Sequence, residues 1–315
     1  MSRFILRRLG TLGITLVLVS LMVFLIVEVA SPVSVCRRNL GQFATDEQVT
    51  LCEQRLGLDR PLPVRYAEFL KNAVTLDFGV STLTDEPVLD SVIPRLGKTL
   101  MLAGIAFIVI MPLAVVLGIL SALKEGRLMD RVIAISTLTA TSIPEIATGI
   151  FLLVVFVGWL GWLPGATVIP QGDSLLQHPS FFVLPVLTLT LIEVGYVARI
   201  TRASMIDVLD SQYIRTAYLK GLSYWKIVMR HALRNALLAP IAVIMLHVNW
   251  LIGGIVVTEV IFGYPGLGRF ILGAALNRDV FGLEAATMIL VLVAVGTQLI
   301  ADVVYTFLNP RIRFG

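Results

Sequence analysis

Charge is what this chain has least of. Asp, Glu, Lys and Arg make up 15% of its 315 residues, where a soluble domain carries about 25%, so a protein solvated mainly by water is excluded. Histidine and cysteine are scarcer still. His178, His231 and His247, with Cys36 and Cys52, fall at no metal-ligand spacing and complete no Ser/His/Asp or Cys/His arrangement. No G-x-x-x-x-G-K-[ST] stretch is present to cradle a phosphate, and the Gly-rich GYPGLGR at 263–269 follows no strand. The expectation is therefore no catalytic residue, no metal ligand and no enzyme. An internal repeat of about 20 to 50 residues is also missing, as is a low-complexity linker, which leaves one domain as the economical reading.

What the chain has instead is apolar length. Hydrophobic residues reach 57% and the mean hydropathy is +0.89, which demands lipid as the principal solvent. Six apolar segments stand out, each bounded by polar or Pro/Gly-rich stretches: Leu9 to Ala30, Thr99 to Leu123, Val132 to Leu160, Phe181 to Ile200, Leu237 to Phe262 and Leu283 to Leu308. The first, as a helix, reaches about 33 Å, enough to cross a hydrocarbon core and too long for the apolar core of a cleaved signal peptide. The reading is an all-α polytopic membrane protein with six transmembrane helices.

Lys and Arg orient it. With the N-terminus in the cytoplasm, the inner connections hold fifteen of the 25 basic residues, seven of them from Arg199 to Arg234. Eight more lie in residues 31–98, a segment too long for the charge rule to weigh, and the short outer loops carry only Arg269 and Arg278. Both termini, 1–8 and 309–315, are expected to be cytoplasmic, with 9–308 as the membrane domain, 31–98 as an extracytoplasmic segment and 201–236 as the largest cytoplasmic element. Because the basic residues cluster in these connections, the net charge of +4 points to membrane orientation and lipid rather than to nucleic acid. Cys36 and Cys52 then face an oxidising compartment. A disulfide between them would contribute about 3 kcal/mol on the loop-entropy view; two buried free thiols are the alternative.

The cytoplasmic element contains RTAYLKGLSYWKIVMRHALRN, with five Lys/Arg and no carboxylate. Ser211 is placed to cap a short helix, Gly221 to take the left-handed position after it, Leu222 to pack back, and Ser223 to cap the next helix. Tyr213, Thr216, Ala217 and Lys220 share one face or its margin at helical spacing. On charge alone, an interfacial helix lying on anionic headgroups explains this stretch.

Inside the spans, Glu145, Glu193, Glu259 and Asp302 are costly at about 2.5 to 3.5 kcal/mol each. Glu145 and Glu193 either face a passage, favouring a cationic group on a cargo, or pack helices. Glu259 and Asp302 read first as cross-helix pairs, with Glu259 kept as a pathway candidate beside Asn249. His247 is expected to hydrogen-bond within the bundle. Pro112, Pro144 and Pro185 permit bends in their spans, and Trp159 and Trp162 read as an interfacial anchor.

The segment YIRTAYLKGLSYWKIVMRHALRNALLAP resembles the cytoplasmic signature loop of the membrane subunits of bacterial ABC importers, in the form of the dipeptide, oligopeptide and nickel branch. LGLDRPLPVRYAEFLKNAVTLDFGVSTLTDEPVLDSVIPRLGKTL, ARITRASMIDVL, VVTEVIFGYPGLGRF and DVVYTFLNPRIR are similar to further family stretches along nearly the whole chain. The chain departs from the general importer motif at Arg215, where Glu is usual, and at Arg234, where Pro is usual. On the outer side, VASPVSVCRRN and RDVFGLEAATM depart from the peptide branch itself, which bears on cargo and on the fit of a binding protein.

The resemblance implies the ABC importer membrane fold in the bacterial inner membrane. It makes the loop within 201–236 form a coupling helix that docks on an ATP-hydrolysing subunit, with Ala217 and Gly221 at small-residue positions and Tyr213, Arg215, Thr216, Lys220, Leu222 and Ser223 on the docking surface. It also implies a second homologous permease subunit, two ATP-binding subunits or domains holding ATP and Mg, and an extracytoplasmic solute-binding protein. Short peptides are the implied cargo, with nickel complexes, opines or other small solutes open. A secondary transporter driven by an ion gradient is the rival of another class; it would call for inverted repeats with broken midplane helices, and none is legible.

Overall fold

The computed structural model describes residues 2–29, 35–41, 43–81, 86–170, 173–277 and 279–308. Among them it is helical throughout, with one isolated antiparallel bridge between Val80 and Pro87. The chain divides into two compact units, Met1–Thr99 with Pro265–Gly296, and Leu100–Tyr264 with Thr297–Arg313. The expected C-terminal tail 309–315 lies outside the described residues.

The first unit contains α1 (Ser2–Val29), α2 (Val35–Leu40), α3 (Asp46–Leu56), α4 (Leu62–Thr75), the opening turns of α5 (Val88–Leu123), α13 (Leu267–Asn277) and most of α14 (Val280–Leu308). The segment expected outside the membrane is thus itself helical. Thr45 starts α3 with a reciprocal capping box, its side chain accepting from Gln48 N while Gln48 accepts from Thr45 N. Gly57 ends α3 at φ +68°, a left-handed cap that glycine adopts without steric cost. A disulfide joins Cys36 of α2 to Cys52 of α3. Phe24 of α1 packs on Tyr66 and Phe69 of α4, and the Ser20 and Tyr66 hydroxyls lie 3.0 Å apart. Asp279 caps α14 by accepting from Gly282 N at 3.2 Å, and the Ser81 hydroxyl donates to its other oxygen at 2.5 Å. The reading of 263–282 as a short outer loop is corrected by α13, an apolar helix whose first turn is satisfied by Thr99 Oγ1 accepting from Leu267 N at 2.8 Å.

The second unit is organised around α8 (Ser180–Leu209), the most enclosed of the long apolar helices, with 67% of its best 18-residue window buried. Packed with it are α6 (Leu128–Ser142), α7 (Glu145–Leu152, continuing in wide turns to Trp159) and α12 (Leu238–Ile261). Between α8 and α12 lie α9 (Gln212–Leu219), α10 (Tyr224–Lys226), a wide-turn segment Ile227–Ala232 and α11 (Leu233–Ala236). Leu102, Ala106, Ile110 and Ala114 fall every fourth residue along α5 and are fully buried in one cluster with Leu189 and Val197 of α8 and Ile255 of α12.

Among the described residues, three helices, Val88–Leu123, Ser180–Leu209 and Val280–Val304, are each long and apolar enough to cross a membrane, and two bent pairs bring the number up to five if each pair is one span. The 36 residues of α5 extend about 54 Å, well beyond a hydrocarbon core of about 30 Å, so the expected start of this span at Thr99 falls inside a longer helix. The expected continuous span Val132 to Leu160 is corrected: α6 and α7 meet at 103°. Ile143 is extended at ψ 131° ahead of Pro144, which has no N–H to continue the ladder. Pro112 and Pro185 stay within unbroken helices.

Glycines set how closely α8 is approached. A Cβ on Gly118 would stand 2.5 Å from Ala198 O, and one on Gly195 would stand 2.7 Å from Thr141 Cγ2. In lipid, where the hydrophobic effect does not drive helices together, such close backbone packing is what holds them. Gly118→Val and Gly195→Val should each lower stability by about 1–3 kcal/mol. Gly104→Val, at a position with nothing within 4 Å, should change it little; denaturation in mild detergent compares the three.

Candidate functional site

A cavity of about 1010 Å³ opens among α6, α8 and α12 with Gln298 of α14. From α8 come Ile192, Glu193, Tyr196 and Arg199, and from α12 Val243, Leu246, His247, Trp250, Gly253 and Gly254. Both sets recur at three- and four-residue intervals, so each is a single helical face. Glu193 Oε2 lies 2.5 Å from His247 Nδ1, and the two side chains are 8% and 13% exposed. The Tyr196 ring stands 5.1 Å from the His247 ring.

Glu145 follows the break at Pro144 and lies beside Gly254 of the wall without itself lining the cavity. As the first residue of α7, it sits where the helix dipole favours negative charge. The Thr258 hydroxyl donates to its Oε1 at 2.5 Å, and a Cβ on Gly254 would stand 3.5 Å from its Oε2. The structure therefore brings Glu145, Glu193 and His247 together. Glu259 is corrected as a lining residue: it is fully buried and absent from the cavity wall. Tyr264 N donates to its carbonyl at 2.9 Å. Burial, with the Glu259 charge as a smaller influence, holds the Tyr264 phenol well above the usual tyrosine range, so it stays neutral. Asp302 accepts from Gln298 Nε2 at 3.2 Å. The side chain of Asn249 lies outside the described residues. Sequence reasoning missed Tyr196, Arg199, Trp250 and Gln298. The signal for the first two was a polar stripe through Glu193, Tyr196 and Arg199 on an otherwise apolar helix.

On the other side of α8 the chain leaves the bundle through α9. Gly221 adopts φ +75°, Gly221 N donates to Tyr218 O and Leu222 N to Ala217 O, the paired bonds of a left-handed helix end. Ile214 and Ala217 are buried with Ile227, Val228 and Ala232, and Leu222 packs against them. The shared face is thereby corrected for Ala217, whose small side chain points inward. Tyr213, Arg215, Thr216, Lys220 and Ser223 are exposed. Ser211 and Ser223 occupy extended cap positions without capping bonds from their side chains; the Ser211 hydroxyl donates to Val208 O instead. Asn235 Nδ2 donates to the Tyr213 hydroxyl at 3.0 Å, tying α9 to α11.

Where α8 approaches this loop, Arg202 donates to both oxygens of Asp130 at 2.7 and 2.8 Å. Ser121 Oγ and Gly126 N complete the carboxylate's partners at 2.5 and 2.9 Å.

A helical protein of the membrane, with a polar-lined cavity among its spans and a turned-out basic helix at one end of them, defines the class of transport permeases. Residues 114–314 match the family described as the binding-protein-dependent transport system inner membrane component, and residues 1–103 match its N-terminal companion. The chain belongs to this family: it is a permease subunit of an ABC importer, a multi-pass inner-membrane protein. It is 36% identical over 314 residues to the glutathione transport system permease protein GsiC of Escherichia coli (strain K12), covering 100% of both chains. It is 33% identical over 314 residues to a putative peptide transport system permease protein of Brucella abortus (strain 2308), again over 100% of both. Among solved structures, an inward-facing MetNI methionine ABC transporter aligns with TM-score 0.58 at 16% identity, over 71% of this chain and 99% of the other.

Asp130 is 5% exposed, so removing its partner strands a charge. Arg202→Met should cost about 2–3 kcal/mol, toward the lower end because Arg202 remains partly in contact with solvent. Arg202→Met with Asp130→Asn should recover most of that, and a double-mutant cycle in detergent measures the coupling.

Proposed function

We propose that this permease forms half of the passage of an ABC importer for short peptides, paired with a second homologous permease subunit. Two ATP-binding subunits, which hold ATP and Mg, dock on α9 through Tyr213, Arg215, Thr216, Lys220 and Ser223, and an extracytoplasmic binding protein delivers the cargo. Six spans leave residues 1–8 and 309–315 in the cytoplasm and 31–98 outside. Relatives named for peptide and for glutathione transport, itself a tripeptide, support the cargo.

One observation carries the docking: α9 is held by its buried side on a glycine turn while its basic side is free. A helix anchored this way moves as a rigid body with the loop beneath it, so closure of a docked partner is transmitted into the bundle. A surface helix resting on headgroups would need no such fixed turn.

Gly221 has open space around it, so a larger side chain meets only the backbone penalty of its left-handed conformation, about 1–2 kcal/mol. Gly221→Val should leave membrane insertion intact, let ATP hydrolysis persist and cut ATP-driven uptake by about 5–30-fold. Normal uptake by this variant in vesicles would rule out the lever, and uptake that survives without ATP but fails when the proton gradient collapses would favour an ion-driven carrier. The topology has its own check. After mild reduction of intact spheroplasts, a membrane-impermeant maleimide should label Cys36 and Cys52; labelling only after lysis would place the segment inside.

A further inference from the structure

We infer that the cavity holds a short peptide by its two charged ends, the ammonium at Glu193 and the carboxylate at Arg199. This deepens the peptide-importer reading and rests on it.

Both residues project from the same face of α8 into one cavity. Six residues separate them, about 9 Å along the axis, and two or three extended residues of a peptide span about 7–11 Å. At the acidic end, Glu193 gives Oε2 to His247. Its Oε1 has no hydrogen-bond partner among the described residues, yet it is not among the sealed polar atoms, so it opens to the cavity. Glu145, bonded to Thr258, lies beside Gly254 of the wall without lining the cavity, so Glu193 is the carboxylate that this end presents. Tyr196 and Trp250 add aromatic faces to the same wall, which attract a primary ammonium.

At the other end, Arg199 Nε donates to Gly195 O at 3.2 Å, which fixes the root of the guanidinium against the helix. Its terminal nitrogens have no partner among the described residues, and no carboxylate there pairs with it. A fixed guanidinium fork is the geometry that takes a carboxylate by two parallel bonds. Gly253 and Gly254 leave the facing wall of α12 bare, so a peptide backbone can lie along it. Recognition of this kind reads charge separation and length, and it tolerates any side chain that the open cavity admits. A cargo with one charge uses one pole and leaves the other uncompensated.

The test is binding of radiolabelled trialanine, N-acetyl-trialanine and trialanine amide to the complete membrane complex in nanodiscs, without the binding protein. The wild type should prefer trialanine to either blocked peptide by about tenfold, the loss expected when a charge-assisted hydrogen bond is removed. Glu193→Gln should abolish the preference over the N-acetyl peptide and keep that over the amide. Arg199→Gln should do the reverse, and Arg199→Lys, a point charge without the fork, should keep the preference over the N-acetyl peptide and only part of that over the amide. Each ratio is taken within one variant, so a general loss of folded complex cancels. Equal weakening of all three peptides by either Gln variant, or no saturable binding by the wild type, overturns the inference. ATP-driven uptake of trialanine by the complete transporter, run alongside, reports separately whether the peptide reading stands.

Discussion

A carboxylate that leaves water must find its partners inside the protein, and in this chain that requirement decides where helices meet. Lipid offers no hydrogen bonds and little dielectric screening, so a buried acid is favoured where another element supplies its partner. Asp130 joins α6 to Arg202 of α8, Glu193 joins α8 to His247 of α12, and Glu145 joins α7 to Thr258 of α12. The acids are few, in keeping with a 15% charged fraction, and these three carry cross-helix bonds, whereas Asp302 bonds to Gln298 within its own helix. The Asp130 site is the most fully satisfied, with four donors. The Glu193 site keeps one oxygen unclaimed, which separates a structural acid from one available to a ligand.

The break at Pro144 follows the same logic. A continuous third span would leave Glu145 in mid-helix, its charge without the favourable end of a helix dipole. Ending α6 at Ser142 and starting α7 at Glu145 places the carboxylate at a helix start and aims it toward Thr258. The carbonyls freed in the last turn of α6 would be costly in lipid, but Ser142, Thr141 and Thr137 sit there. Their hydroxyls, however, donate to carbonyls one turn earlier, at Leu138 and Ile133, bonds that bend helices as much as they satisfy them. Pro112 and Pro185 stay inside unbroken helices, and at Pro185, which is itself buried, the neighbours hold the axis so that a missing N–H is tolerated.

Much of the fold was legible because lipid imposes a simple code of apolar length and basic connections, and the turn at Gly221 was legible because a left-handed helix end needs glycine. Less legible was what depends on three-dimensional proximity. The Asp130 and Arg202 pair joins residues 72 positions apart, and nothing local marks Asp130 as buried. Ala217 was placed on the exposed face because spacing alone gives a stripe without saying which side the core lies on. The hydrophobic Ile214 three residues earlier was the available clue. Glu259, read first as a cross-helix pair and kept as a pathway candidate, is fully buried away from the cavity, which only the packing around α12 shows. Helix α13 was hidden because 11 apolar residues are too few to read as a span and too many for a loop.

The cavity wall and α9 are joined by one element. Glu193, Tyr196 and Arg199 stand on α8, and the same helix runs unbroken to Leu209, where Asp210 and Ser211 turn the chain into α9. From Glu193 to that turn is about 24 Å of continuous helix, held to α6 by Arg202 and to α11 by the Ser204 hydroxyl on Ala236 O at 2.7 Å. A displacement of α9 that passes the turn at Asp210 and Ser211 meets no break within α8, so it appears either at the α8 wall of the cavity or as a breakage of those bonds. The close approaches at Gly118 and Gly195 raise the cost of the second outcome, because α8 has no room to slide against α5 or α6 without parting from them. What remains is movement of α8 together with the helices packed on it, α12 among them through Glu193 and His247.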